Sequence, residues 1–211
     1  MTFYIPPHFR NEDRGEVLEF MRAHAFATLV SASGAGVAVS YVPLLVEEHG
    51  GKVLLRGHVA RANGQWESLE GAREVLAIFH GPHGYVSPTW YANHPAVPTW
   101  NYAVVHAHGK ARLTGADELH EIVTELSGKY EAGNDPPWRF SEQPAAYAES
   151  MLGMIVGFEI EVERLEAKFK LSQNRPADAP RVIERLEAAG ERELAALMRQ
   201  HAPVPKGKIP A

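Results

Sequence analysis

The chain has 211 residues, 45% of them hydrophobic and 22% charged, which is a globular composition long enough for one substantial core. Its apolar stretches end well short of the roughly 18–20 residues that a membrane span needs. It carries a net charge of −5 and no cysteine, which excludes disulfides, thiolate zinc sites and cysteine nucleophiles and leaves histidine and carboxylates as the strong metal ligands. Residues 1–158 hold 11 Lys+Arg against 17 Asp+Glu, and residues 159–211 hold 10 against 9. Neither segment supplies the basic face expected of a duplex-DNA binder. The opening MTFYIPPHFRNEDRGE lacks a basic start followed by an apolar stretch, so no signal peptide and a cytoplasmic location are expected.

In chain order, residues 11–25 predict a helix, with Asn11 as cap and Val17, Phe20, Met21 and His24 at helical spacing. ATLVSA (27–32) and VAVSYVPLLVEE (37–48) read as a hairpin, with Pro43 marking an edge or a bulge. KVLLRGHVA (52–60), EVLAIFHG (74–81) and the alternating YAVVHAHGKARLT (102–114) read as further strands. A helix follows over 116–131, with Leu119, Ile122, Val123, Leu126 and Tyr130 on one face. Residues 154–172 alternate apolar and charged and predict a long strand. Residues 180–201 predict two short helices broken at Gly190. The linker-like stretches are 134–147 and the last ten residues. About six strands, hairpin-connected and without βαβ alternation, predict an α+β chain built on a closed or split antiparallel barrel, which hides strand edges.

The run FHGPHGYVSPTWY (79–91) is followed by VPTWNYAVVHAHGK (97–110), concentrating histidine, aromatic and small residues. His106 and His108 share a strand face, and with His80, His83 or His94 they would make a three-histidine metal site. The competing reading is half-buried histidines bonded to backbone carbonyls, and no carboxylate stands at a ligand spacing. Neither Gly-x-Ser-x-Gly nor a Gly-rich phosphate loop occurs. His80 and His83 are therefore read as polar lining of a pocket rather than as zinc ligands. The rings of Tyr85, Trp90, Tyr91, Trp100 and Tyr102 suit the walls of a planar heterocycle, or equally a buried aromatic cluster.

RGHVARANGQW (56–66) presents Arg56, His58, Arg61, Asn63 and Gln65 at a strand end with no acid before Glu67. This is the composition of an anion trap, because arginine forks onto phosphate and turn N–H groups add to it. The alternative is an exposed loop that carries two arginines. Near the end of the long strand, Lys168, Lys170, Gln173, Asn174 and Arg175 form a second polar cluster ahead of Pro176. The terminal helix–Gly–helix superficially matches a helix-turn-helix. Its second helix sets only Arg192 and Arg199 against two glutamates, and Leu194, Leu197 and Met198 are better used in packing.

YIPPHF, GHVARANGQW, FHGPHGYVSPTWY, VPTWNYAVVHAHGKA and MLGMIVGFEIEVERLEAKFKLSQNR occur in this order over nearly the whole chain. In them the sequence resembles the PaiB-type family of FMN-binding negative transcriptional regulators. The resemblance implies a split β-barrel related to pyridoxamine-phosphate oxidases, working as a homodimer with FMN at the dimer interface. RGHVARAN stands where such a barrel holds the FMN phosphate, so Arg56, His58, Arg61, Asn63 and Gln65 become expected cofactor residues, with Trp100 as a ring wall. The resemblance also places Lys168, Lys170 and Gln173 near the cofactor pocket. Gly64 occupies a position where the family is expected to carry proline, which would loosen the loop. A barrel domain over 1–176 with a helical extension over 177–211 packed on it is expected. Repression of sporulation and degradative-enzyme genes, with DNA as a partner, follows from the resemblance alone. An FMN-dependent oxidoreductase and a haem-binding or haem-degrading protein are alternatives on the same fold, and no catalytic or metal residue is assigned.

Overall fold

A computed structural model describes residues 3–33, 36–72, 74–92 and 94–201. The elements are β1 (Arg10–Asn11), α1 (Arg14–Ala23), β2 (Phe26–Ser33), β3 (Gly36–Pro43), β4 (Leu45–His49), β5 (Lys52–Ala60) and α2 (Gln65–Leu69). They continue with β6 (Val75–Val86), β7 (Thr99–Leu113), α3 (Ala116–Glu131), α4 (Ala145–Gly153), β8 (Ile155–Lys170), α5 (Ala179–Ala188) and α6 (Arg192–His201). The eight strands form one antiparallel sheet in the open order β3-β2-β6-β7-β8-β5-β4, with β1 added on β8. This is the expected split antiparallel barrel with helices, and the path does not close.

The strands form where alternation is strongest. In β5, Val53, Leu55, Gly57 and Val59 turn inward while the residues between them are less buried, the period-two signature of a half-buried strand. Val53 to Ala60 of β5 pair antiparallel with Val162 to Ile155 of β8. The expected strand 37–48 is two strands. Pro43 ends β3, since proline cannot donate to a ladder, and Leu44 instead donates its N–H to the Ala25 carbonyl at 2.9 Å while its side chain is fully buried. The strand expected at 74–81 runs on to Val86 through Pro82. α2 and α4 were not expected. α2 lies within the loop of GQW, and α4 begins inside the stretch read as a linker. In α3, Leu119, Ile122 and Leu126 are buried, but Tyr130 is 55% exposed, so the apolar stripe ends one turn earlier than its spacing predicts.

The chain separates into two compact units, with β6, β7 and β8 each contributing one portion to either. Unit 2 comprises residues 14–79 and 105–165. Its core includes Leu29, Leu55, Phe79, Ile122, Phe158 and Ile160. A Cβ on Gly157 would lie 2.2 Å from Thr114 Oγ1 and 3.0 Å from Leu119, so only glycine lets the start of α3 rest on β8. Unit 1 comprises residues 1–13, 80–104 and 166–211. There α5 and α6 bury Val182, Leu186, Leu194 and Met198. Gly84 of β6 is close enough that a Cβ would meet Leu194 at 2.9 Å. The apolar face of α6 is thus spent on packing.

Candidate functional site

In unit 2, the segment RGHVARANGQW leaves β5, turns, and enters α2. Its five polar residues have different neighbours. Arg56 donates to Glu47 at 2.8 Å from Nε, again to Glu47 from Nη2, and to Glu125 at 2.7 Å. Its side chain is only 13% exposed, so its charge is already matched. Burial pulls the Arg56 pKa down, but the hydrogen bonds it donates to Glu125 and Glu47 outweigh it and the net direction is up. Asn63 donates to Ser40 Oγ at 2.7 Å and accepts from the Gln65 N–H at 3.1 Å. Gln65 is buried, and its Nε2 faces the carbonyls of Leu29 and Ala38 and the Ser31 hydroxyl at 3.1–3.2 Å. Asn63 and Gln65 therefore tie the turn to the β2–β3 hairpin.

Arg61 and His58 have no side-chain partner among the described residues. The Arg61 guanidinium is exposed and held by two carbonyls, Gly153 at 2.8 Å and Ile155 at 3.0 Å. Those bonds use two of the five N–H donors of a guanidinium. His58 is half-buried, burial pushes its pKa down, and its Nδ1 is buried with no hydrogen-bond partner among the described residues. Arg61 also lines a cavity of about 360 Å³ with Thr114, Leu119, Glu149, Leu152 and Gly157. Thr114 Oγ1 is likewise buried and unpartnered among the described residues. Glu47, Glu125, Ser40 and Thr114 carried no sequence signal, because each becomes a neighbour only through strand pairing or helix docking.

Unit 1 gathers the other expected residues. A cavity of about 430 Å³ is lined by His80, His83, Trp100, Tyr102 and Val104. The rings of His83 and Tyr85 lie 6.3 and 6.0 Å from that of Trp100, which is 54% exposed. Lys168 is buried, donates to the Tyr4 carbonyl at 3.0 Å, and lies 5.2–5.4 Å from the rings of Phe3, Tyr4 and Tyr102. Lys170 donates to Thr99 Oγ1 and, at 2.8 Å, to the Trp100 carbonyl. Gln173 closes its own turn, donating to the Phe169 carbonyl at 2.6 Å and accepting from the Leu171 N–H at 2.7 Å. Arg175 stacks on Tyr91 at 4.3 Å and reaches Asp178 at 3.4 Å.

His106 and His108 belong to unit 2, 6.2 Å apart, with His108 3.3 Å from Glu74. His80 and His83 belong to unit 1. Among the described residues no group of three or more histidines and carboxylates is arranged to hold a metal ion.

With this geometry stand the likenesses to known proteins. Residues 3–164 match the domain family described as "Putative FMN-binding domain". The chain belongs to this FMN-binding family. It is 38% identical over 185 residues, 87% of this chain and 89% of the relative, to the "Protease synthase and sporulation protein PAI 2" of Bacillus subtilis (strain 168). It is also 35% identical over 147 residues, 59% of this chain and 86% of the relative, to the "Uncharacterized protein YKL070W" of Saccharomyces cerevisiae. Two solved structures share the fold at low identity. The flavocytochrome Anf3 from Azotobacter vinelandii matches with a TM-score of 0.60 and 13% identity, over 79% of this chain and 72% of that one. A FAD and heme binding protein from Mycobacterium smegmatis matches with a TM-score of 0.58 and 12% identity, over 76% and 73%.

Membership makes FMN the cofactor of this domain, and the residues can be tested against it. Arg61 and the Thr114 hydroxyl, both on this cavity, suit a phosphate, while Glu149 on the same cavity opposes one. His58 does not line it but stands opposite Gly157, which does. The cavity lies at the low end of the roughly 300–1,000 Å³ range of small-molecule pockets. It suits the phosphate and chain of FMN, and the ring system needs a further wall. Among the described residues no helix is long and apolar enough to cross a membrane.

Proposed function

We propose that this protein is a homodimeric FMN-binding regulator of the kind its Bacillus relative is named for, with the FMN phosphate held at the turn after β5. The carrying observation is Arg61, the donor of RGHVARANGQW that is at once exposed, fixed by two carbonyls and part of a cavity wall. A guanidinium fixed in advance loses little rotamer freedom when it binds. Its remaining N–H groups fork onto two phosphate oxygens, and His58 adds one bond. Asn63 and Gln65 hold the loop in shape, and Arg56 ties β5 to β4 and α3. Bound FMN supplies a redox-active isoalloxazine, and its ring is covered by a second copy of the chain, as expected for a C2 pair. No residue is assigned to catalysis. Regulation by tight contact with duplex DNA is disfavoured by 17 acidic against 11 basic residues over 1–158 and by the packed face of α6. FMN occupancy of the dimer is therefore read as the signal.

Arg61→Ala tests this. A charge-assisted contact is worth about 1.5–3 kcal/mol, so FMN should bind about 10–100-fold more weakly, while riboflavin binds wild type and variant alike. Unchanged FMN affinity by titration calorimetry removes the phosphate from this loop. Light scattering should give a dimer, and a monomer at micromolar concentration overturns the shared site. Flavin bands with turnover of reduced nicotinamide would favour the oxidoreductase, and a Soret band the haem protein.

A further inference from the structure

Unit 1 contains a site that is one anion short. Lys168 and Lys170 are two residues apart on β8, so they share a face of the strand. Lys168 is 7% exposed. Its ammonium meets a carbonyl and three rings, and that of Lys170 meets a hydroxyl and a carbonyl. Among the described residues neither forms a salt bridge. Glu166 is buried two positions earlier, but the bonds and ring contacts of the two lysines do not include it. Removing an ammonium from water is costly unless a negative charge compensates, and two like charges side by side add to the cost. Carbonyls and ring faces supply partial charge only.

The neighbouring cavity indicates what would complete the site. Trp100 and Tyr102 project from the same face of β7 and line a space of about 430 Å³. Tyr102 belongs to both features, as a cavity wall and as the ring 5.4 Å from the Lys168 ammonium. Lys170 is bonded to the Trp100 carbonyl at 2.8 Å. His80 and His83 add polar groups on the cavity wall. Ring faces beside unneutralised cations select a flat ligand carrying an oxyanion.

We propose that unit 1 holds a second binding site, separate from the flavin phosphate site, for a small planar aromatic anion. Its carboxylate or phosphate is taken by Lys170 in the field of Lys168, and its one- or two-ring body lies against Trp100 and Tyr102. The site gives a regulator of this family an effector pocket that does not depend on where FMN binds.

Titration calorimetry with 1-naphthoate and its neutral isostere 1-naphthamide tests the proposal on the full chain. The wild type should prefer naphthoate by about tenfold. Lys170→Met should erase the preference, Lys170→Arg should keep it, and Trp100→Ala should weaken both ligands. The resemblance expects Lys170 at the flavin, whereas a separate site requires Lys170→Met to weaken naphthoate far more than FMN. Equal binding of naphthoate and naphthamide to the wild type overturns the proposal. A loss of FMN binding in Lys170→Met as large as the loss of naphthoate also overturns it, because the pocket is then the flavin's. If Arg61→Ala leaves FMN untouched while the naphthoate preference persists, the flavin phosphate assignment fails and the second site stands.

Discussion

Arg56 in unit 2 and Lys170 in unit 1 are both strand cations partly withdrawn from water, yet their surroundings are opposite. Arg56 is met by two carboxylates, Glu47 and Glu125. Burial likewise pulls the Lys170 pKa down, but here the nearby Lys168 charge adds to it and no carboxylate among the described residues offsets it, so the Lys170 ammonium is held below its ordinary value. The first arrangement is electrically closed and builds structure, whereas the second is open and calls for an outside partner. An arginine at a strand end is thus no evidence of a phosphate site until its acids are accounted for.

The largest expected consequence is in stability. Arg56→Met leaves Glu47, whose side chain is 22% exposed, with only the exposed His49 ring beside it at 3.1 Å among the described residues. The loss should be about 1.5–3 kcal/mol, and at roughly 2–4 °C per kcal/mol the melting temperature should fall by several degrees. FMN affinity should hold. Lys170→Met should leave the melting temperature unchanged or slightly higher, since it removes an uncompensated charge. If Arg56→Met instead weakens FMN and spares the melting temperature, the two regions have been assigned the wrong way round.

Their difference also shows what the sequence could reveal. The alternation in β5 and β8 and the helical spacing of α3 were legible because burial imposes a period on each element separately. The break at Leu44 was half legible, through Pro43. The partners of Arg56 were not, since Glu47 reaches it diagonally across the β4–β5 register and Glu125 approaches from a helix 69 positions later. Asn63 and Gln65 look like ligand donors in a string of letters, but their acceptors sit in the β2–β3 hairpin. α2 was hidden by its five-residue length, too short for a periodic signal. The family motifs were legible throughout, because they record the outcome of such contacts without showing them.

A smaller effect is expected at Gly64, between the structural and the ligand-facing halves of the loop. Its φ is −63° and nothing lies within 4 Å of where a Cβ would stand. Proline, fixed near −65°, fits that backbone. Gly64→Pro should add about 0.4–1 kcal/mol of stability by restricting the unfolded chain. It should also tighten FMN slightly, by holding the Arg61 turn in place, and leave 1-naphthoate binding alone. A lower melting temperature would mean that Asn63 has a helical backbone, which a following proline disfavours.

The smallest effect is a pH dependence confined to unit 1. In the native protein, burial and the neighbouring Lys168 ammonium lower the Lys170 pKa from its ordinary 10.5, and unfolding restores the ordinary value. Between the two values the unfolded chain binds more protons than the native one, so stability rises with pH across that window and is unaffected by Lys170 below it. Relative to Lys170→Met, the wild type should gain stability as pH is raised from neutral toward about 10, measured by denaturant melts of both proteins in parallel. Common titrations elsewhere cancel in the difference. Saturating 1-naphthoate should flatten the trend, because a bound oxyanion favours the protonated ammonium and returns its pKa toward the unfolded value. A wild-type-minus-variant difference that stays level without ligand would mean that water already neutralises the cost of this ammonium, and the contrast with Arg56 would lose its electrostatic basis.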